Sequence, residues 1–254
     1  MKLITLNAWG GKLYSPLIKF IKENKDIDIF CFQDLLFGKE PVFSPIEKGR
    51  INIFEEIKNI LVDHEIVISK EPEHSWIDGE ILPPHIGSGK AIFTKKNLKL
   101  LERGEFDVSN VNLTETMVSS KCQWIELEAN NQKITILNLH GLWQKGSKKQ
   151  DTEERTEQSR RIHAFMKNLE GPKILAGDFN MVPDGKSMTI LDQGMINLIK
   201  EYKIETTRNR HYPRGEKFAD YILVSKDIKV NDFKVLPDEV SDHCALYLDF
   251  EINL

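Results

Sequence analysis

The residues best placed to do chemistry are Asp178 and Asn180, at the end of the run Lys173-Ile174-Leu175-Ala176-Gly177-Asp178-Phe179-Asn180. An apolar strand stops on a glycine and delivers a carboxylate and a carboxamide two residues apart. Strand side chains alternate faces, so the pair projects on one side if the extended backbone continues through Phe179. An acid beside an amide can orient a water and hold an oxyanion. Taken alone, the tetrapeptide also reads as a turn, with glycine supplying positive φ and the aspartate an Asx-turn.

The same design recurs along the chain. Asn7 ends a first apolar run, and Gln33-Asp34 ends the run 27–32. Asn138-Leu139-His140 closes 134–137, Asp220 opens 221–224, and Ser241-Asp242-His243 precedes 244–248. Brought to one rim, these ends would assemble carboxylates, amides and two histidines in a single pocket. That inventory suits metal-assisted phosphoryl hydrolysis.

Short β-branched or aromatic runs predict strands at 3–6, 28–32, 66–69, 91–94, 123–128, 134–139, 174–176, 219–224, 233–235 and 245–250. Helical spacing predicts helices between them. Ser15-Pro16 reads as an N-cap followed by proline at the first helical position, with Leu17, Ile18, Phe20 and Ile21 forming an apolar face up to Asn24. A second helix is expected over 52–61 and a third over 152–169, the latter with a stripe of Ile162, Phe165, Met166 and Leu169. Strands interleaved with a few helices imply two stacked sheets with helices outside. Longer connectors at 37–50, 70–89 and 143–151 have the length at which loops tend to carry specificity.

Composition narrows the class. With 254 residues, 40% of them hydrophobic and 29% charged, the chain has material for a large core, and no repeat or linker divides it. A single domain over 1–254 is therefore expected. A net charge of -4 argues against a protein that coats nucleic acid by bulk electrostatics. It leaves room for an enzyme acting on phosphates, because a divalent cation can supply the positive charge. Cys31, Cys122 and Cys244 are odd in number, far apart and set in apolar runs, which fits buried thiols in a reducing compartment. The run after Met1 lacks the layout of a secretory signal, and a cytoplasmic location without a membrane anchor is expected.

The ordered set Asn7, Gln33-Asp34, Asn138/His140, Gly177-Asp178-Phe179-Asn180, Asp220 and Ser241-Asp242-His243 resembles the endonuclease/exonuclease/phosphatase superfamily, which includes DNase I. The resemblance spans essentially the whole chain. It implies an α/β fold, a four-layered sandwich of two packed, mainly antiparallel β-sheets flanked by helices. It also implies Mg²⁺ as cofactor, with Mn²⁺ as a substitute. Carried over by position, Asn7, Asp34 and Asp242 would hold the metal through oxygen. Asp178 would orient or deprotonate the attacking water and Asn180 would steady a phosphate oxygen. His243 would contact the phosphate, with Asp220 fixing its tautomer and raising its pKa, and His140 would assist the leaving group. One departure stands out: the family has glutamate after the second-strand glutamine, and this chain has Asp34, one methylene shorter.

Substrate choice is less legible. The basic segment after His140 brings Trp143 and Lys148 near the expected pocket, and Arg208 belongs to a second basic stretch just before Asp220. These three residues are expected to contact substrate. The implied activity is a Mg²⁺-dependent phosphodiesterase of nuclease type, endonuclease or exonuclease, acting as a monomer on a phosphate-containing substrate such as nucleic acid. A phosphatase acting on monoesters, a lipid or inositol headgroup hydrolase, and an inert binding module are the alternatives. His64, His74, His85, His163 and His211 read as surface or loop residues.

Overall fold

The computed structural model describes all residues except 45–47, 72–75, 78–79, 82–85, 110–120, 130 and 254. In chain order the strands are β1 (Lys2–Asn7), β2 (Ile29–Leu36), β3 (His64–Lys70), β4 (Trp76–Ile77), β5 (Glu80–Ile81), β6 (Ser88–Lys95), β7 (Lys99–Asp107), β8 (Lys121–Ala129), β9 (Gln132–His140), β10 (Lys173–Asp178), β11 (Met195–Asn197), β12 (Asp220–Ser225), β13 (Ile228–Val235) and β14 (Leu246–Ile252). The helices are α1 (Tyr14–Glu23), α2 (Ile53–Ile60), α3 (Glu153–Lys167), α4 (Lys186–Leu191) and α5 (Leu198–Glu201).

Twelve of the strands build two six-stranded sheets, ordered β13-β14-β1-β2-β6-β3 and β11-β12-β10-β9-β8-β7. Each sheet has one parallel pair at its middle, β1 with β2 and β9 with β10, and antiparallel pairs elsewhere. The two parallel pairs pack against each other, β1 and β2 on β10 and β2 on β9. That packing makes the strands apolar on both faces. Leu3 and Cys31 belong to the core between the sheets, whereas Ile4, Leu6, Phe30 and Phe32 pack under α1 and α2. Ile162, Met166, Met188 and Leu191 bring α3 and α4 onto the second sheet.

Two amides pin the sheets together. Gln33 Nε2 donates to Asn138 Oδ1 at 2.7 Å, and Asn138 Nδ2 donates back across the interface to the Phe32 carbonyl at 3.2 Å. Both side chains are buried. Gln33 Nε2 and both ends of the Asn138 amide are paired across the layers, while Gln33 Oε1 is buried without a partner; these bonds fix how the strands of one sheet end relative to the other. Gln33 and Asn138 are thus tie residues behind the rim, not members of the reactive set.

Several elements depart from the sequence expectation. Strand β7, missing from it, is an edge strand whose charged residues are exposed, and only Leu100 and Phe106 pack on the core, too sparse an apolar face to read among the charges. α1 begins at Tyr14 with Leu13 in the cap position and no side-chain cap, so Ser15 is not the N-cap and Pro16 lies inside the first turn, where its missing N–H is harmless. Thr152 does cap α3, accepting from the Arg155 N–H at 3.2 Å. His64 is buried, its Nε2 2.9 Å from the Ile27 carbonyl, and burial first of all lowers its pKa. It is a core residue, contrary to the expectation of a surface one, while His74 and His85 lie outside the described residues. Cys31, Cys122 and Cys244 are buried free thiols, as expected. No described helix is long and apolar enough to cross a membrane.

Candidate active site

Strands β1, β9 and β10 carry their polar residues at the C-terminal end, whereas β2 carries Gln33 and Asp34 inside the strand, ahead of Leu35 and Leu36. Asn7 is the last residue of β1, His140 the last of β9 and Asp178 the last of β10. Register sets His140 beside Asp178 on the parallel side of β10 and Asp220, the first residue of β12, beside it on the antiparallel side. Gly177 makes this close pairing possible. Its φ is 136°, and a Cβ there would lie 2.0 Å from the Leu139 carbonyl oxygen. The glycine therefore serves close backbone approach within the sheet, not the sharp turn suggested by the sequence.

Asp178 is the hub. Its Oδ2 accepts from Asn7 Nδ2 at 3.1 Å and its Oδ1 from the Asn180 backbone N–H at 2.9 Å. His140 Nε2 lies 3.9 Å and His243 Nε2 3.6 Å from Oδ2. Burial alone would raise the pKa of this carboxyl. The opposing charges of His243, His140, Lys149 and Arg208 outweigh it and bring the group down to about 2. Asn180 is buried with φ 53°, and its Nδ2 donates to the Gly141 carbonyl at 3.2 Å. The chain thus turns at Asn180, where left-handed backbone is tolerated by asparagine.

Asp34 also has a left-handed backbone, φ 53°, at a bulge where the β2–β6 register slips between Phe32 and Leu35. Bulges re-aim side chains beside active sites. Its Oδ1 is 3.7 Å from His140 Nδ1, so the second-strand carboxylate does reach the cluster despite its shorter arm.

The second histidine is more enclosed. His243 Nδ1 sits 2.8 Å from both oxygens of Asp220, and its Nε2 faces Asp178 and, at 3.7 Å, Asp242 Oδ1. The sequence suggested that Asp220 would make this ring cationic. Instead burial, then the charge of Arg208, push the ring down to about 4. Burial and the neighbouring Asp178 push Asp220 well up. The Asp220 carboxyl holds the ring through Nδ1 and leaves Nε2 facing the carboxylates of Asp178 and Asp242.

Arg208 and Lys149 complete the cluster. Arg208 Nη1 donates to Asp242 Oδ2 at 2.7 Å, its guanidinium lies 4.0 Å from the Tyr212 ring centre, and its Nε is buried without a hydrogen-bond partner. Lys149 is buried, donates to the Phe218 carbonyl at 3.0 Å, and shares the Tyr212 ring at 5.1 Å. Burial, then Arg208, push it down to about 8. The expected Lys148 is exposed. The basic run was readable, but not which lysine turns inward, because that depends on left-handed backbone at both Lys148 and Lys149. Tyr212 lies in the same basic stretch as Arg208. Trp143 is half-buried, with Arg214 5.5 Å over its ring. Behind this loop, buried Arg155 donates to the Leu142 and Gln150 carbonyls and to Ser147 Oγ, fixing the basic segment against α3.

Asp178, Asp220 and His243 offer atoms within 4.8 Å of one another, a group that could hold a metal ion. Asp242 Oδ1 lies 3.7 Å from His243 Nε2, Asp34 Oδ1 reaches His140, and Asn7 meets Asp178 through Nδ2. Asn7 Oδ1 accepts from the Trp9 N–H at 2.9 Å, and Asp242 already engages Arg208.

This chain belongs to the Endonuclease/Exonuclease/phosphatase family, whose pattern matches residues 4–243. The family hydrolyses phosphoester bonds and generally depends on a divalent metal ion. No curated protein sequence matches the chain. Among solved structures it resembles the mannosyl-6-phosphatase of Bacteroides thetaiotaomicron VPI-5482, with 18% identity over 99% of this chain and 100% of that one and a TM-score of 0.70. The human Nocturnin catalytic domain, solved with a bound sulfate anion, matches with 16% identity over 100% and 94% of the chains and a TM-score of 0.69. Humanized D. rerio TDP2 matches with 16% identity over 99% and 98% and a TM-score of 0.70. At these identities the likeness is one of fold.

Proposed function

We propose that the chain, acting as one catalytic domain, is a Mg²⁺-dependent phosphodiesterase of nuclease type, with Asp178 as the residue that handles the attacking water. The observation that carries this reading is the convergence on Asp178 Oδ2 of Asn7, His140 and His243, from three separate strand ends and loops, in a buried cluster. With its pKa near 2, Asp178 is a poor store for a proton and a permanent anion. Its role is to orient the water, with Asn180 holding the turn that aims it.

The cluster's nitrogen donors bind the phosphate. An Nε2–H on His243, the unpartnered Nε of Arg208 and the Lys149 ammonium are donors suited to phosphate oxygens. A neutral His243 suits hydrogen bonding to a phosphoryl oxygen as the charge there grows. His140, the more exposed histidine, lies within reach of both Asp34 and Asp178 and is placed to give a proton to the leaving oxygen.

The donor set also fits the metal. Asp34, Asp242 and the amide oxygen of Asn7 are hard oxygen donors, the class preferred by Mg²⁺ and Mn²⁺. Asn7, Asp34 and Asp242 would hold the ion in this reading, with Asp220 and His243, bonded to each other, on the phosphate. When bound, the ion supplies charge for the phosphoryl oxygens and leaving group.

A phosphomonoesterase is the second reading, favoured by a bounded basic cavity next to the cluster. The two are separated by assaying the protein with Mg²⁺ on single-stranded DNA, RNA, duplex DNA, inositol phosphates and sugar phosphates. Cleavage of the nucleic acids is the expected result. Phosphate release from the monoesters alone would remove the nuclease reading.

A further inference from the structure

Strands β9 and β12 flank β10, and beyond the ends of both the chain runs into one cavity of about 700 Å³. The segment after His140 contributes Trp143, Lys145, Lys148 and Lys149, and the segment before Asp220 contributes Arg214 and Lys217. Five of these six residues are cationic, and Glu216 is the one acid on the lining. Among the described residues no carboxylate forms an ion pair with Lys145, Lys148, Lys149, Arg214 or Lys217. In a chain of net charge -4 this is a local excess of positive charge facing a hollow.

Lys149 joins the cavity to the reactive cluster. It lines the cavity, yet its charge acts on Asp178 and Asp220 and is in turn opposed by Arg208. Tyr212 lies against both cations. Two buried cations side by side are unfavourable unless anions lie close. Asp178, Asp220 and Asp242 serve that purpose on the cluster side. On the cavity side Lys149 has one fixed acceptor, the Phe218 carbonyl, and an ammonium has three donors. A volume of this size holds a compact group, not a length of duplex.

We propose that this cavity is a second phosphate site, which takes a phosphate of the substrate next to the one being cleaved, with Lys149 between the two and Lys148, Lys217 and Arg214 around the outer one. The proposal rests on the phosphoester-hydrolase reading and deepens it: the preferred substrate carries two phosphates a short distance apart. The second phosphate has two sources, the neighbouring phosphate of a single strand or a small bisphosphorylated molecule.

Equilibrium binding by calorimetry tests it, with Mg²⁺ present and Asp178→Asn in all samples to halt turnover. The probes are a nucleoside monophosphate, the matching nucleoside bisphosphate, and a single-stranded oligonucleotide of roughly ten residues. The bisphosphate, the oligonucleotide or both bind more tightly than the monophosphate. The double substitution Lys148→Ala/Lys217→Ala, at exposed positions, reduces that preference about tenfold while changing monophosphate affinity little. Lys149→Met lowers affinity for all three probes. Preference for the bisphosphate alone identifies a small-molecule source, and preference for the oligonucleotide alone identifies a strand; both support the site. No preference, or one that survives the double substitution, overturns it. Because binding is read without turnover, absence of any hydrolysis by the wild type counts against the catalytic reading only.

Discussion

Asp178→Asn lowers kcat/KM for phosphodiester cleavage by about a thousandfold, the scale associated with loss of a group that positions the nucleophile or a proton. The substitution keeps the volume and the acceptor for the Asn180 N–H, but it removes the negative charge at the meeting point of Asn7, His140 and His243. It also sets an amide donor against Asn7 Nδ2, a conflict that costs about 1–3 kcal/mol of stability. Urea unfolding of the variant therefore belongs beside the kinetics. A fall in rate far beyond any change in folded fraction assigns the effect to chemistry, whereas unchanged turnover removes Asp178 from the mechanism.

The second large effect is expected at His243. His243→Ala removes the Nε2 donor and leaves the buried Asp220 without its 2.8 Å partner, and activity falls by roughly a hundred- to a thousandfold. Asp220→Asn keeps the ring and only loosens its orientation, so the loss is smaller, about 10- to 100-fold. Residues that act as a unit are not additive. The double variant His243→Ala/Asp220→Asn accordingly retains about the activity of His243→Ala alone. Steady-state kinetics on the four proteins measures this, and additive losses would show that Asp220 acts independently of the ring.

What could be read from the sequence was the repeated unit of an apolar strand ending on a polar residue. That unit is local, and it led to His140, Asp178, Asn180, Asp220 and His243, all of which meet in the fold. Their meeting depends on the register of β9, β10 and β12, which local pattern does not encode. The roles of Gln33 and Asn138 were hidden for the same reason: an amide at a strand end looks identical whether it faces a substrate or ties two sheets together. Arg208 stood out as a basic residue before Asp220, but its pairing with Asp242, a residue 34 positions away, is purely tertiary. The failed expectation at His243 is tertiary as well, since burial and then the Arg208 charge outweigh the carboxylates of Asp242 and Asp178. Lys149 and Lys148 are adjacent and chemically identical in sequence, and the tertiary contacts of Lys149 with the Phe218 carbonyl and the Tyr212 ring separate the buried one from the exposed one. Strand β7 escaped notice because its core contacts, Leu100 and Phe106, are spaced out among exposed charged residues.

The central claim is that this cluster hydrolyses phosphodiesters with a divalent ion held by oxygen donors. Its most direct test is the rate of bis-p-nitrophenyl phosphate hydrolysis by the wild-type protein, freed of metal with a chelator and then titrated with Mg²⁺. The rate is expected to fall to background in chelator and to return saturably with Mg²⁺, with Asp34→Asn needing about tenfold or more additional Mg²⁺ to reach half its maximum. Full turnover in chelator, or an Mg²⁺ response unaltered by Asp34→Asn, would contradict it.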